Sequence, residues 1–286
     1  MMTLRQAHHQ GTCAIRNAGV SQSDTLDALL LLCRAAGISK ERFYCEPNSP
    51  VDSSIQAAYD HLITLCCAGE PIAYILGERE FYGRVFAVDQ RVLIPRPDTE
   101  ILVEQALKLC GKDESLRVLD LCTGSGCIGI TLAAQIVGSE VTLADLSEDA
   151  LTIARTNCQT LLGRELETVQ GNLFESLPNR RFHMIITNPP YLTDSWYEHT
   201  ADQVKREPHM ALVGGGAQGL DIIRTIVEES PRYLESGGVL LIECDDRQNS
   251  AVVQLMEAAG FLAVDHATDL AGLRRIVWGR TRCTRN

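Results

Sequence analysis

Apolar positions near the start of the chain recur at helical spacing. Leu26, Leu29, Leu30 and Cys33 fall at i, i+3, i+4 and i+7, and Gly37 can end that run. Ile55, Ala58, Tyr59, Leu62 and Cys66 repeat the pattern until Gly69 and Pro71 interrupt it. This predicts a small helical domain over residues 1–71. The texture then changes. "EFYGRVFAVDQRVLIPRP" is rich in β-formers around Gly83, which predicts a β-hairpin within 72–97 linking two domains. "DTEILVEQALKLCG" reads as a capped helix closed by Gly111.

Beyond it, short apolar runs alternate with helical patterns. Strands are predicted at "RVLDL", "EVTLAD", "ETVQ", "FHMIITN" and "GGVLLIECD", with helices starting near 127, 148, 219 and 247. Such alternation means βαβ units and a parallel sheet. The last two runs, "GFLAVDHA" and "LRRIVWGR", lie too close for a helix between them, so they should pair antiparallel. Residues 98–286 are therefore read as a Rossmann-like α/β domain.

The first turn of that domain, "DLCTGSGCIG", sets Gly124, Gly126 and Gly129 in the spacing G-x-G-x-x-G, and Asp145 ends the next strand. Glycines let a backbone approach a ligand, and a helix N-terminus offers N–H groups. A carboxylate at Asp145 can accept from a ribose diol. NAD and S-adenosylmethionine both answer this description. Asp120, just before the glycines, could favour the positive sulfonium end of the second.

The end of the fourth strand chooses between them. "IITNPPYLTD" stops an apolar run with Asn188, Pro189, Pro190 and Tyr191. In a doubly wound sheet the turns after strands one, two and four can face one crevice. A planar amide or exocyclic amine nitrogen is a poor nucleophile, because its lone pair is delocalised. Acceptors aimed at its N–H groups favour the change toward tetrahedral geometry. The Asn188 side-chain oxygen and the Pro189 carbonyl can be those acceptors, and Tyr191 can stack on the flat group. Trp196 and Tyr197, just downstream, read as loop-packing residues. "PRPDTE" either starts a helix, with Asp98 or Thr99 as cap, or walls the substrate pocket through Arg96.

Composition narrows the partners. The formal net charge of −11 argues against a nucleic-acid ligand, although a local basic patch could hide within it. No window reaches the roughly 18 apolar residues of a membrane span, and the start lacks a signal-like apolar core, so a soluble, cytoplasmic protein is expected. Eleven cysteines without any CxxC suggest reduced, mostly buried thiols. The seven histidines form no metal-ligand spacing, and no metal is expected. The alternatives left by the residues alone are methylation of an adenine amino group in DNA, an NAD oxidoreductase, and a silent binding module.

With these motifs in view, the chain resembles the peptide chain release factor N(5)-glutamine methyltransferases. The resemblance rests on "GEPIAYILGEREFYG", "RVLIPRPDTEILVE", "VLDLCTGSGCIGI", "TNPPYL", "GGGAQGLDIIRTIV", "GGVLLIE" and "TDLAGLRRIVWG", in that order. It implies a seven-stranded S-adenosylmethionine-dependent methyltransferase domain. It further implies methylation of the glutamine in the Gly-Gly-Gln motif of class 1 release factors, with the helical domain docking that partner. Family cofactor contacts would fall on Cys122, Thr123, Gly124, Ser125, Gly126, Asp145, Asn172, Leu173 and Asn188. Substrate contacts would fall on Asn188, Pro189, Pro190 and Tyr191, with Arg96 beside them. Cys122 stands where the family usually has glycine, Asn172 where it often has aspartate, and Arg206 and His209 where Phe and Arg are usual.

Overall fold

The structure, a computed structural model, describes residues 2–110 and 116–283; the expected helix end at Gly111 lies outside them. The chain divides into two compact units, Met1–Glu78 with Ala201–Arg206, and Arg79–Thr200 with Glu207–Asn286.

The first unit is helical: α1 (Leu4–Ala18), α2 (Asp24–Ala36), α3 (Lys40–Cys45), α4 (Ser53–Cys67) and α5 (Ile72–Leu76). Thr3 and Gln6 form a reciprocal capping box on α1, and Asp52 accepts from two N–H groups of α4. The buried face of α2 keeps Leu29 and Cys33 as expected but is shifted at its start. Leu26 is 49% exposed, whereas Ala28, Leu31 and Leu32 are fully buried. Four consecutive leucines make α2 apolar on nearly every side, so packing against α1 and α4 decides which side goes in. The Tyr59 hydroxyl donates to the Ala28 carbonyl at 3.1 Å from within this core.

The second unit opens on a hairpin, β1 (Glu78–Phe81) and β2 (Arg84–Ala87). Tyr82 and Gly83 both have positive φ, the conformation a two-residue hairpin turn demands. The hairpin is narrower than the sequence pattern suggested. Residues 72–76 are helical, stopped by left-handed Gly77, and the prolines of "IPRP" remove the donors a longer strand would need. Phe81 and Phe86 bury against Leu102 and Val103 of α6 (Glu100–Leu109).

Then follow β3 (Arg117–Leu121), α7 (Cys127–Gln135), β4 (Glu140–Asp145), α8 (Glu148–Leu162), β5 (Glu167–Gln170) and β6 (Phe182–Thr187). They continue with α9 (Asp194–Glu198), α10 (Asp221–Glu229), β7 (Leu234–Glu243), α11 (Asp246–Ala258), β8 (Leu262–Thr268) and β9 (Arg274–Arg280). The seven strands pair in the order β5-β4-β3-β6-β7-β9-β8. All neighbours run parallel except β8–β9, antiparallel as expected, and β7–β9, which is antiparallel as well.

Both faces of the sheet are covered, so its inner strands carry apolar residues on both sides. Val118, Met184, Ile186, Val239 and Leu241 join one core with α6 and α7. Their neighbours Leu119, Ile185, Leu240 and Ile242 join the other with α10 and α11. The chain runs outward from β3 in one direction and restarts at β6 in the other. The carboxyl ends of β4, β3 and β6 therefore meet at the switch point, where such folds bind ligands. No described helix is long and apolar enough to cross a membrane.

Candidate active site

A cavity of about 800 Å³, counting its open mouth, lies at those strand ends. Its wall holds Leu121, Cys122 and Gly124 after β3, Asp145, Leu146 and Ser147 after β4, and Gly171 to Leu173 after β5. Asn188 and Pro190 come from the end of β6. Arg91 to Leu93, Ala150, Pro208, Met210, Ala211 and Ile222 complete it.

The glycine turn is held from beneath. Asp120 is fully buried; its Oδ2 accepts from the Thr123 hydroxyl at 2.5 Å and from the Gly129 N–H at 2.8 Å. Burial pushes this carboxyl up to about 7. Asp120 is thus an anchor behind the wall and not a group facing the ligand. Thr123, Ser125 and Gly126 also lie behind the wall. The Gly129 position has no room for a side chain, since a Cβ would come within 2.4 Å of Leu143. Cys122 has φ +60, the left-handed region, which accounts for glycine being usual there. Asn157 of α8 ties the turn to the hairpin, donating to the carbonyls of Ser125 and Ala87 at 2.9 and 3.0 Å.

The turn is not a phosphate cradle. The N–H groups of Thr123 and Gly126 bond the carbonyls of Ala144 and Thr123, and that of Gly124 bonds Asp145 Oδ2 at 2.9 Å. These donors of the turn are spent, and a carboxylate that would repel a pyrophosphate stands beside them. The other Asp145 oxygen accepts from the Ser147 N–H at 2.9 Å. Each oxygen keeps a further lone pair for a diol. Burial raises the Asp145 carboxyl above its ordinary value. A Cβ built on Gly124 meets nothing within 4 Å, so the backbone itself is open to a ligand. With the apolar wall of Leu146, Leu173 and Ile222, these residues fit an uncharged adenosine with a cationic sulfur better than a dinucleotide. Asn172 lies on the wall, its amide nitrogen donating to Glu175 at 3.1 Å, so its oxygen is what remains for a base.

The Asn188 corner is held from outside. Asn188 Nδ2 donates to Thr99 Oγ1 at 3.1 Å, while its Oδ1 is buried without a hydrogen-bond partner. Gln248 Nε2 donates to the carbonyls of Tyr191 and Gln218, each at 2.7 Å. The N–H groups of Tyr191 and Leu192 bond the Leu212 carbonyl. This contact needs glycines on the facing loop: a Cβ on Gly219 would sit 2.2 Å from the Tyr191 oxygen. Pro189 and Tyr191 are not on the cavity wall. The Tyr191 hydroxyl points to buried Glu243 at 3.5 Å, and its ring packs against the core, so it does not offer the stacking face expected of it.

Arg96 also differs from expectation. Its Nη2 donates to Glu207 Oε1 at 2.5 Å, and Glu207 Oε2 accepts from the Ile94 N–H at 3.0 Å. This pair clips "IPRP" to the loop carrying Pro208, Met210 and Ala211, which puts Arg96 one step away from the cavity. Trp196 stacks under Arg247, whose guanidinium carbon lies 3.5 Å from the ring centroid, and Tyr197 meets His209 edge-on. Arg206 bonds the Ala68 carbonyl within the helical unit. Thr99, Glu207, Glu243 and Gln248 were not singled out by sequence as site residues. Only Thr99 carried a signal, a cap position that turns out to cap nothing.

Solved structures share this architecture. A Pyrococcus furiosus methyltransferase superposes with a TM-score of 0.54 at 16% identity, over 78% of this chain and 98% of that one. A 16S rRNA methyltransferase of T. thermophilus gives 0.54 at 19% identity, over 72% and 50%. Residues 97–217 match the methyltransferase small domain, which sets the class: a Rossmann-like methyltransferase that uses S-adenosylmethionine. Residues 6–77 match the PrmC N-terminal domain. Release factor glutamine methyltransferases of Pseudomonas aeruginosa and Coxiella burnetii are 40% and 38% identical to the chain. Those matches cover 92% and 91% of it and 95% and 93% of the relatives. That of Koribacter versatilis is 38% identical over 98% of this chain and 99% of its own. The chain belongs to the release factor glutamine methyltransferase family.

Proposed function

We propose that this protein methylates the side-chain amide nitrogen of the glutamine in the Gly-Gly-Gln motif of class 1 peptide chain release factors, in the cytoplasm, in support of translation termination. The observation that carries the reading is Asn188 Oδ1, a buried acceptor with no partner on the wall that also holds Gly124 and Asp145. A buried polar atom left unbonded costs stability, and among the described buried side-chain atoms without a partner this one alone belongs to a residue of the cavity wall, where a ligand can complete it. S-adenosylmethionine, when bound, supplies an electrophilic methyl group on a positively charged sulfur.

The chain's own residues do the rest. Asp145 holds the ribose, and the Gly124 backbone lets the ligand lie close. Asn188 Oδ1 accepts one N–H of the glutamine amide; the Pro189 carbonyl, fixed by the Pro-Pro pair beside the cavity wall rather than on it, is the acceptor proposed for the other. Both favour the pyramidal, positively charged nitrogen over the flat neutral one, so they act more strongly in the transition state. No separate base is required, since the proton can leave once the nitrogen is charged. Tyr191 braces the corner through Glu243. Residues 1–71 are proposed as the release factor docking surface, with 72–97 as the linker; the helical unit has its own core and shows Tyr44 at 68% exposure. The charge of −11 gives no footing for direct nucleic-acid contact.

The test is mass spectrometry of a release factor after incubation with the protein and S-adenosylmethionine. One added methyl on the Gly-Gly-Gln glutamine is expected. Methyl entering DNA while release factor stays unmodified would replace this reading with an adenine methylase.

A further inference from the structure

Thr99 stands directly behind Asn188, and Glu243 has so far been given only the bracing of Tyr191. Glu243 ends β7 and is 3% exposed; its Oε2 is buried with no partner, and Oε1 receives the Tyr191 hydroxyl at 3.5 Å. The Thr99 hydroxyl, 2% exposed, neighbours the same carboxylate and favours its charged form. Thr99 Oγ1 also accepts from Asn188 Nδ2 at 3.1 Å. A hydroxyl has one proton to give. If that proton goes to Glu243, the Thr99 oxygen can only accept from Asn188, and the amide must turn its nitrogen inward and its oxygen to the cavity. If the proton goes to Asn188, the amide flips and meets the substrate with a donor where an acceptor is needed.

We propose that Glu243 and Thr99 are positioning residues, a two-member relay that fixes which end of the Asn188 amide faces the substrate. This rests on the acceptor role assigned to Asn188. The relay works only while Glu243 is ionised, because a protonated carboxyl can donate to Thr99 and reverse the chain. Burial raises Glu243, as does Asp98 of the same turn as Thr99. Arg275 of β9, Thr99 and Tyr191 oppose that rise. The charge of Glu243 in turn raises the thiols of Cys127 in α7 and of its own chain neighbour Cys244. The balance leaves Glu243 at about 7, so the correct orientation should be lost as pH falls through neutrality.

The experiment measures kcat for release factor methylation at saturating cofactor, with cofactor Kd by calorimetry as the check on folding. Thr99→Val should lower kcat by about 10- to 100-fold, as loss of an orienting partner typically does, with cofactor Kd within about threefold. Thr99→Ser, which keeps the hydroxyl, should recover most of the loss. The parent should show an acid limb in kcat that Glu243→Gln flattens. Thr99→Val within twofold of the parent, Thr99→Ser as impaired as Thr99→Val, or an unchanged acid limb in Glu243→Gln would each overturn the relay. Should Thr99→Val fail to bind cofactor, the Glu243→Gln profile decides alone. Asn188→Ala separates the levels: if it keeps the parent's kcat, the acceptor role itself falls. If it is impaired while Thr99→Val is not, only the relay falls.

Discussion

The glycine turn after β3 and the Asn188 corner after β6 stand side by side on one sheet edge, yet they are held by opposite means. The turn is secured mostly by nearer neighbours: Asp120 reaches residues 3 and 9 positions on, Asp145 reaches back 21, and Asn157 reaches back 32. The corner is secured by strangers in sequence: Thr99 is 89 positions from Asn188, and Gln248 is 57 from Tyr191. A self-contained turn can be moved between proteins and serve several nucleotides, so it says little about the reaction. A corner that needs Thr99, the 212–219 loop and the Glu243–Gln248 segment all in place says much more about the chemistry it serves.

The comparison breaks most sharply at Asn188. Asn188→Ala should leave cofactor binding within a few-fold and lower kcat by roughly 10²–10³, the usual effect of deleting one preorganised polar contact to a developing charge. Steady-state kinetics with release factor, beside calorimetry for the cofactor, reads both. A loss of cofactor binding with kcat intact at saturation would place Asn188 on the wrong side of the comparison.

A pair of glycines tests the two means of support directly. At Gly219 a Cβ would strike the Tyr191 carbonyl at 2.2 Å, and φ is +68 as well. Gly219→Ala should cost about 2–4 kcal/mol of stability, combining overpacking with a strained backbone, and lower kcat with it. Gly124 has φ +54 but open space where a Cβ would go. Gly124→Ala should cost only about 1 kcal/mol, with its main effect on cofactor affinity. Urea midpoints for both variants decide, and equal midpoints would mean that the corner is not held by the facing loop.

What could be read in advance follows the same division. The βαβ alternation, the antiparallel last pair and the left-handed stop at Gly37 are local matters of period and glycine, and they stand in the structure as expected. Candidate site positions could be picked because Asn188, Asp145 and the glycines sit at strand ends, and topology brings strand ends together. The misplacements share one cause. Asp120 and Tyr191 were given ligand-facing roles from their places at strand ends, and Arg96 from its motif. Their true partners, Gly129, Glu243 and Glu207, depend on packing that sequence distance conceals. Thr99 shows the same limit: a hydroxyl before a helix reads as a cap, and nothing nearby reveals that it bonds Asn188 instead. The α2 face was misjudged at its start because an all-leucine run has no preferred side.

Asp145→Ala should act on the cofactor and spare the chemistry. Loss of a bidentate acceptor should raise cofactor Kd about 10- to 100-fold, at about 1.4 kcal/mol per tenfold, with kcat at saturating cofactor nearly unchanged. The pH dependence has a definite sign. Burial raises the Asp145 carboxyl, so it becomes protonated earlier on acidification than an exposed aspartate would. Cofactor affinity should therefore weaken on the acid side and recover as pH rises. Calorimetric titration at several pH values measures it, and an unchanged Kd in Asp145→Ala would remove the ribose assignment.

The smallest effect is expected at Cys122, and it probes whether the turn is as self-sufficient as the comparison holds. A non-glycine residue in the left-handed region costs about 1–2 kcal/mol, and Cys122 sits there with φ +60. Replacing it with glycine removes that strain but restores backbone freedom to the unfolded chain, which costs about 0.5–1 kcal/mol, and it removes a thiol packed beside the core. These oppose one another, so Cys122→Gly should stay within about 1 kcal/mol of the parent with kcat unchanged. Cys122→Val has no such compensation. A β-branched side chain is a true outlier in this region, and the cost should exceed that of cysteine by about 1 kcal/mol or more. Urea midpoints of the three proteins give the order. If Val, Cys and Gly unfold at one midpoint, the backbone here is under no left-handed constraint. The turn would then owe its shape wholly to the bonds from Asp120 and Asp145.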